Sequence, residues 1–213
     1  MGRKHAIIIG LDYNGELPGC TYDAERMTAY LQSQGFTTYT ITGAHGTAWH
    51  IVWALQWVCY YAGMFDEIFI HYSGHGTRIR DNNGDEIDGY DEAIVTQDGW
   101  AVRDDYFHAL LGWIPPSVKV NILMDCCYSG TGMDVGRKHG IRADVRMISG
   151  CTDAQTSAEI TIEGQSQGAM TTCFLANIDQ YGEMSPQLCA TMRDQLHAKG
   201  LGQSPVFSSS KSF

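Results

Sequence analysis

The sequence lacks a long apolar run and has few basic residues, and each absence excludes a class of protein. The apolar stretches 6–9 and 51–64 are too short for a signal peptide or a membrane span, so we expect a soluble cytoplasmic protein. The 14 Lys and Arg against 24 Asp and Glu give a net charge of −10. We expect no nucleic acid or membrane partner, because phosphate binding needs a basic surface. The charge suits metal ions or basic peptides, although on composition alone solubility is the simpler interpretation.

Two further patterns are missing. The seven cysteines are odd in number and contain no C-x-x-C unit, which favours free thiols in a reducing compartment over disulfides. Neither a dinucleotide fingerprint nor a P-loop is present, which argues against an unrelated nucleotide-binding protein.

Two apolar runs each end in a reactive side chain. The first is IFIHYSGHG at 68–76, and the second is VKVNILM at 118–124, followed by DCCYSG at 125–130. If these strands are parallel neighbours, both ends open into one crevice, where ligands bind in α/β sheets. His75 would then face a thiol, and such a pairing activates a cysteine nucleophile. Periodicity does not choose between Cys126 and Cys127, whereas His71, inside the strand, is interpreted as a core residue.

The alternation of strands and helices predicts one α/β domain over residues 1–213, a three-layer sandwich with a roughly six-stranded, mainly parallel sheet. We expect helices over 22–34, 48–61, 104–113, 169–181 and 185–198. The polar segment 81–92 suits a calcium loop or a solvated hairpin equally well, and 153–168 is interpreted as a polar loop. The helix over 48–61 has a broad apolar face that we expect in the core, made by Trp49, Val52, Trp53, Trp57 and Tyr60.

The two reactive boxes resemble the His and Cys boxes of the metacaspases, cysteine peptidases with a caspase-like fold. Further matches are LPGCTYDA at 17–24, SGCTDAQTSA at 149–158 and FSSS at 207–210. The resemblance implies a caspase-like sandwich in which about 1–135 corresponds to the large subunit and about 143–213 to the small one. Tyr128 stands where the family usually has His, and we expect it to tune the pocket rather than abolish activity.

The resemblance also implies a cysteine endopeptidase that cleaves proteins or peptides after Arg or Lys. In this role Cys127 is the nucleophile and His75 its partner, with the backbone N–H groups of Gly76 and Cys127 binding the oxyanion. The acids of the S1 pocket would be Asp23 and Asp125, with Cys20 and Ser73 near the wall. Taken alone, Asp23 equally suits the first turn of a helix.

Calcium is the cofactor that the resemblance implies. Its ligands would be Asp91, Asp104, Asp105 and Asp134, although these residues also suit a solvated surface. The family further implies a monomer and self-processing, for which Arg137 and Lys138 are the first candidates and Arg142 and Arg146 the next. The alternative function is a caspase-fold pseudoenzyme that acts as a calcium-responsive binding or regulatory module.

Overall fold

The fold is described from a computed structural model of the chain. The structure describes residues 2–81, 89–126, 135, 140–150, 159–162 and 165–211, and all structural statements concern these residues. Strands and helices alternate along most of this part of the chain, as expected for an α/β sandwich.

The helices are α1 (Pro18–Ser33), α2 (Ala48–Tyr60), α3 (Asp104–Leu111), α4 (Ala169–Tyr181) and α5 (Pro186–Ala198). The strands are β1 (Lys4–Gly10), β2 (Phe36–Thr42), β3 (Glu67–Ser73), β4 (Gly76–Arg80), β5 (Tyr90–Val95), β6 (Ala101–Arg103), β7 (Lys119–Asp125), β8 (Asp144–Ser149), β9 (Glu159–Ile162), β10 (Gln165–Gly168) and β11 (Val206–Ser209). Two of these helices have a side-chain N-cap. The side chain of Thr47 accepts from the backbone N–H of His50 at the start of α2, and that of Ser185 accepts from the N–H of Leu188 at the start of α5.

The central sheet has six strands in the order β11-β8-β7-β3-β1-β2. All neighbouring pairs are parallel except β11 with β8, which is antiparallel. The expected mainly parallel sheet is therefore confirmed. Because parallel strands end at the same edge, the carboxyl ends of β1, β3 and β7 lie side by side.

The sheet separates two hydrophobic cores. Successive side chains of a strand point to opposite faces, so Ile7 and Ile9 pack with α2 and α3, whereas Ile8 packs with α1, α4 and α5. Cys59 lies in the first core, and Cys173 and Cys189 lie in the second, as expected for thiols on apolar helix faces. Helices on both faces complete the three layers of the sandwich.

The expected burial of the aromatic face of α2 is wrong for three residues. Trp49, Trp53 and Tyr60 are 73%, 44% and 72% exposed. The stripe of α2 that faces the sheet consists instead of smaller side chains: Ile51, Ala54, Leu55, Val58 and Cys59. These side chains let the helix approach the sheet closely, and a helix on the surface of a domain buries only one stripe.

Two other segments differ from expectation. Helix α1 begins at Pro18 rather than at residue 22, because Pro fits the first turn of a helix, where its missing N–H has no intrahelical acceptor. The segment expected as a polar loop contains the antiparallel pair β9 and β10.

A second small sheet follows the central strand β3. Strands β4, β5 and β6 form it in that order, with antiparallel pairing throughout. The hairpin interpretation of the polar segment therefore holds for its described ends, while 82–88 lie outside the described residues. No helix in the described part of the chain has both the length and the apolar character needed to cross a bilayer.

Candidate active site

Candidate site residues lie at the edge of the sheet where β1, β3 and β7 end. In the strand register, Gly10 lies opposite Ser73, and Ser73 lies opposite Asp125. His75 follows Ser73 by two residues, and Cys127 follows Asp125 by two. The two sequence boxes therefore leave adjacent parallel strands at the same level. Cys127 itself lies outside the described residues.

The backbone of His75 is held by two tyrosines. The N–H of His75 donates to the Tyr13 hydroxyl at 2.8 Å, and the carbonyl of His75 accepts from the Tyr72 hydroxyl at 2.7 Å. The Tyr13 ring also lies 4.4 Å from the imidazole, centroid to centroid. Tyr13 reaches this position from a turn with a φ of +49°, an uncommon conformation for a bulky residue. These contacts fix the loop that carries the imidazole.

The imidazole of His75 remains accessible. Its side chain is 40% exposed, and Nε2 lies 3.7 Å from the Glu16 carboxylate. Gly74, before it, has no room for a side chain, because a Cβ there would lie 2.6 Å from the Tyr72 hydroxyl and 2.8 Å from that of Tyr13. The glycine next to His75 is therefore required by this close approach.

Of the two cysteines that compete for the strand end, Cys126 belongs to the core. It is only 2% exposed and lies in the hydrophobic cluster on the α2 face of the sheet. A buried thiol in apolar surroundings is a poor nucleophile, because burial disfavours the thiolate. This observation favours Cys127 as the reactive thiol.

Beside the strand end lies a buried pair of carboxylates. Asp23, on α1, is fully buried, and Asp125, at the end of β7, is 3% exposed. A Cβ added to Gly168 would collide with one oxygen of each, so the two side chains are near neighbours. Close packing of α1 against β1 contributes to this arrangement, since a Cβ on Gly10 would collide with Ala24 and with the backbone of Cys20.

The donors around the two acids come from β3, β10 and α4. Asp23 accepts from the Gly168 N–H at 2.9 Å and from the Ser73 hydroxyl at 3.0 Å. Asp125 accepts from both the N–H and the hydroxyl of Thr171, at 2.9 and 2.8 Å. Because the start of α4 supplies N–H groups at the positive end of its dipole, it stabilises negative charge there.

The pair nevertheless resists carrying two charges. Burial, and then the neighbouring Asp125, raise the pKa of Asp23 from 3.8 to about 8, although its hydrogen bonds act in the opposite direction. At neutral pH this pair therefore tends to keep one proton. A positively charged group between the carboxylates would replace that proton.

Other predicted site residues surround this centre. Cys20 is buried on α1, one helical turn before Asp23. Gly76 is the first residue of β4 and pairs with Ile94 of β5.

Three of the calcium candidates belong to the described residues. Asp91 lies in β5 of the small sheet, and Asp104 and Asp105 begin α3 directly after β6. Asp91 is 1% exposed, with one carboxylate oxygen paired to Arg103 and the other buried without a hydrogen-bond partner. Burial, opposed by Arg103 and reinforced by the charges of Asp105 and Asp81, raises the pKa of Asp91. An orphaned carboxylate oxygen among other acids is a donor that a hard cation would satisfy. Asp104, also buried, accepts from the N–H of Asp105.

These acids fit calcium in chemical type, but their number is incomplete. Within the described residues, no group of three metal-ligating side chains converges. The fourth candidate, Asp134, lies outside the described residues, as do the processing candidates Arg137 and Lys138. Arg142 is exposed, while Arg146 lies inside β8 and pairs with Asp144 and Glu183. Arg146 is thus held within the sheet, unlike the exposed Arg142.

Comparison with known proteins identifies the family. The model of the metacaspase peptidase C14 domain matches residues 4–136, more than half of the chain. The chain belongs to the metacaspase family. Metacaspase-2 of Trypanosoma brucei brucei is 31% identical to it over 253 residues, which cover 97% of this chain and 73% of the relative. Metacaspase-1 of Arabidopsis thaliana is 32% identical over 240 residues, covering 91% and 65%.

Solved structures agree with this membership at the level of the fold. A Geobacter sulfurreducens protein of known crystal structure has a TM-score of 0.75 and 24% identity, covering 99% of this chain and 94% of that one. Caspase-1 of Spodoptera frugiperda has a TM-score of 0.65 and 13% identity, covering 98% and 86%. The metacaspase chain therefore carries a caspase-like cysteine peptidase domain. It spans about two thirds of the length of the curated relatives it matches.

Sequence patterns did not indicate several residues of the metacaspase site. Tyr13, Tyr72, Gly168 and Thr171 acquire their roles from contacts with residues up to 145 positions away.

The letters GQSQG at 164–168 also match G-x-S-x-G, a pattern of α/β hydrolases. Its serine lies within β10, an antiparallel strand, and not at the sharp strand-to-helix turn that such a nucleophile needs.

Proposed function

We propose that this protein is a cysteine endopeptidase that cleaves after Arg or Lys, with Cys127 as nucleophile and His75 as its partner. The observation that carries the proposal is the buried pair of carboxylates, Asp23 and Asp125, at the strand edge from which both boxes leave. Two buried acids select a cationic side chain, because its charge lets both ionise. Substrates are therefore proteins or peptides with Arg or Lys before the scissile bond.

The proposed reaction has two halves. The Cys127 thiolate attacks the scissile carbonyl and forms a tetrahedral oxyanion, which the backbone N–H groups of Gly76 and Cys127 stabilise. The C–N bond then breaks, and the amine leaves with the proton from His75. A water hydrolyses the thioester, returning its proton to His75 and releasing the carboxylic acid. The clamp of Tyr13 and Tyr72 on the His75 backbone supports this role, since proton transfer requires a fixed imidazole.

We further propose that Asp91, Asp104, Asp105 and Asp134 bind calcium. The support is the buried unpartnered oxygen of Asp91 and the neighbouring charges of Asp105 and Asp81. When bound, the ion would neutralise these acids and hold β5 and the start of α3 together. The small sheet with Asp91 begins directly after His75, so such ordering would act on the catalytic loop and raise activity.

Self-processing belongs to the same proposal. Arg137 and Lys138 offer the preferred side chains, and exposed Arg142 offers a third position. Arg146 is not proposed, because its guanidinium is paired with two acids within the sheet. The protein is proposed to act as a monomer.

The test uses fluorogenic peptides that differ only in the residue before the cleaved bond: Arg, Lys or Asp. We expect turnover of the Arg and Lys peptides and not of the Asp peptide, with higher rates in millimolar calcium than in chelator. Cys127→Ala should lower the rate by at least about a thousandfold, whereas the matched change Cys126→Ala should leave catalysis in place. A correctly folded protein that cleaves none of the peptides would favour the pseudoenzyme alternative.

A further inference from the structure

Thr171, in the first turn of α4, contacts the Asp125 carboxylate twice through the same oxygen. Its backbone N–H and its hydroxyl lie 2.9 and 2.8 Å from Oδ2. Both residues are buried, with exposures of 0% for Thr171 and 3% for Asp125. Rotation of the carboxylate would break at least one of these bonds, and a buried donor without its acceptor is costly. Thr171 therefore fixes the plane of the Asp125 carboxylate.

A third residue, His71, is consistent with the Thr171 hydroxyl donating its proton to Asp125. His71 is fully buried in β3, and its Nε2 lies 3.3 Å from the Thr171 hydroxyl oxygen. The single hydroxyl proton is donated to Asp125, so the oxygen accepts from the Nε2–H of His71. Burial lowers the pKa of His71 to about 3, so its ring is neutral and Nδ1 carries a lone pair. Nδ1 is indeed buried without a hydrogen-bond partner.

The three residues form one line of hydrogen bonds, from the ring of His71 through Thr171 to Asp125. It joins β3, α4 and the end of β7, elements that are far apart in the sequence. The other acid, Asp23, has its own donors in Gly168 and Ser73 and shares none with this line. A perturbation of Thr171 therefore acts directly on the Asp125 carboxylate and removes no donor of Asp23.

We propose that Thr171 is a positioning residue that makes the site prefer Arg over Lys, by holding the Asp125 carboxylate in a fixed plane. A guanidinium is planar and binds a carboxylate through two parallel hydrogen bonds, so it depends on that plane. An ammonium is a compact charge that follows the carboxylate as it rotates. His71 keeps the Thr171 hydroxyl pointed at Asp125. This inference rests on the proposed Arg and Lys peptidase function.

The test is Thr171→Val, which keeps the shape and the backbone N–H but removes the hydroxyl. Cleavage of an Arg and a Lys peptide of otherwise identical sequence is measured by kcat and KM. We expect kcat/KM to fall roughly tenfold or more for Arg, mainly through KM, and by no more than about threefold for Lys. Thr171→Ser, which restores the hydroxyl, should return the Arg-to-Lys ratio to within about threefold of the original.

Thr172→Val is the matched control, because the same change is made one residue later. The Thr172 hydroxyl contacts Gln167 and Arg26, not the two acids, so the Arg-to-Lys ratio should stay unchanged. Thr171→Ala provides a second removal of the hydroxyl should the valine variant fold poorly, and the same drop in the ratio is expected.

Two outcomes overturn the inference separately from the function. An active Thr171→Val or Thr171→Ala protein with an unchanged Arg-to-Lys ratio would refute it, and so would an equal fall for both peptides caused by kcat alone. In either case the unmodified protein still cleaves after Arg and Lys. Failure of the unmodified protein to cleave either peptide would overturn the proposed function and this inference together.

Discussion

Replacement of Asp23 by Asn should change how stability depends on pH. Asp23 is fully buried beside Asp125, and its pKa is raised from 3.8 to about 8, so the folded protein holds its proton where the unfolded chain has released it. The free energy of unfolding must then fall as pH rises between these two values, because the folded state binds more protons. Asn has a similar shape and no proton to lose, so this fall should disappear in Asp23→Asn.

The size of this change in the free energy of unfolding follows from the difference between the two pKa values of Asp23. Between the pKa values 3.8 and about 8, each pH unit changes the difference in stability between Asp23→Asn and the unmodified protein by up to about 1.4 kcal/mol. From pH 5 to pH 7 this gives roughly 2–3 kcal/mol. Relative to the unmodified protein, Asp23→Asn should therefore gain stability as pH rises. The same variant should cleave Arg peptides on the order of a hundredfold less well, because one charge of the pair is gone. Stability and activity should thus move in opposite directions.

The assay is urea unfolding, followed by tryptophan fluorescence at several pH values, with midpoint and slope compared. Asp98→Asn is the control, because the pKa of Asp98 is lowered and its effect on the pH dependence of stability has the opposite sign. Although desolvation acts against it, hydrogen bonds from Thr96 and from the N–H of Ala48 lower the pKa of Asp98. That variant should lose its disadvantage only as the pH falls below about 4, and between pH 5 and pH 7 its difference from the unmodified protein should stay constant. A difference between Asp23→Asn and the unmodified protein that stays constant from pH 5 to pH 7 would refute the reasoning.

Three further predictions concern the carboxylate pair, the His75 loop and the calcium candidates in turn. Gly168→Ala should cost about 1–3 kcal/mol of stability and most of the Arg cleavage, because its Cβ collides with both acids, while Gly202→Ala, in open space, should change neither in the same unfolding and peptidase assays. Tyr72→Phe should lower kcat about tenfold with KM nearly unchanged, since the donor to the His75 carbonyl is lost; a change confined to KM would contradict this. Millimolar calcium should raise the unfolding temperature, and Asp91→Asn should abolish that rise; an equal rise in both proteins would place the ion elsewhere.

Much of the sheet could be predicted from the sequence, for a physical reason. The runs that became β3 and β7 are almost entirely apolar because both of their faces are buried, and each ends where the chemistry begins. Two such strands in a parallel sheet must release their following residues at one edge. The expected adjacency of the two boxes is therefore confirmed by the register of Ser73 with Asp125.

The surroundings of the acids could not be predicted in this way. Gly168 ends a polar segment whose pattern gave no strand signal, yet that segment forms β10. Thr171 lies in α4, whose bounds were predicted but whose contacts were not. Their donors reach Asp23 and Asp125 across 145 and 46 residues, a distance at which spacing carries no information. The proximity of Asp23 to Asp125 was itself expected only from the family resemblance.

For the aromatic residues of α2, the sequence pattern predicted burial that the structure does not show. Apolar spacing predicted a core face that includes Trp49 and Tyr60, but both point outward. In a helix that is apolar on nearly all sides, periodicity does not identify the buried stripe. Packing decides which stripe of the helix is buried, and the buried stripe contains the smaller side chains of Ile51, Ala54 and Val58.

The most direct test of the central claim is covalent trapping with a peptidyl-arginine chloromethyl ketone, followed by peptide mapping. The claim is that one thiol, beside His75 and a carboxylate pair, attacks substrates that carry a positive side chain. It predicts one adduct, on Cys127, that fails to form in His75→Ala and is not formed by the matching aspartyl reagent. An adduct on Cys126, or equal labelling by the arginyl and aspartyl reagents, would contradict it.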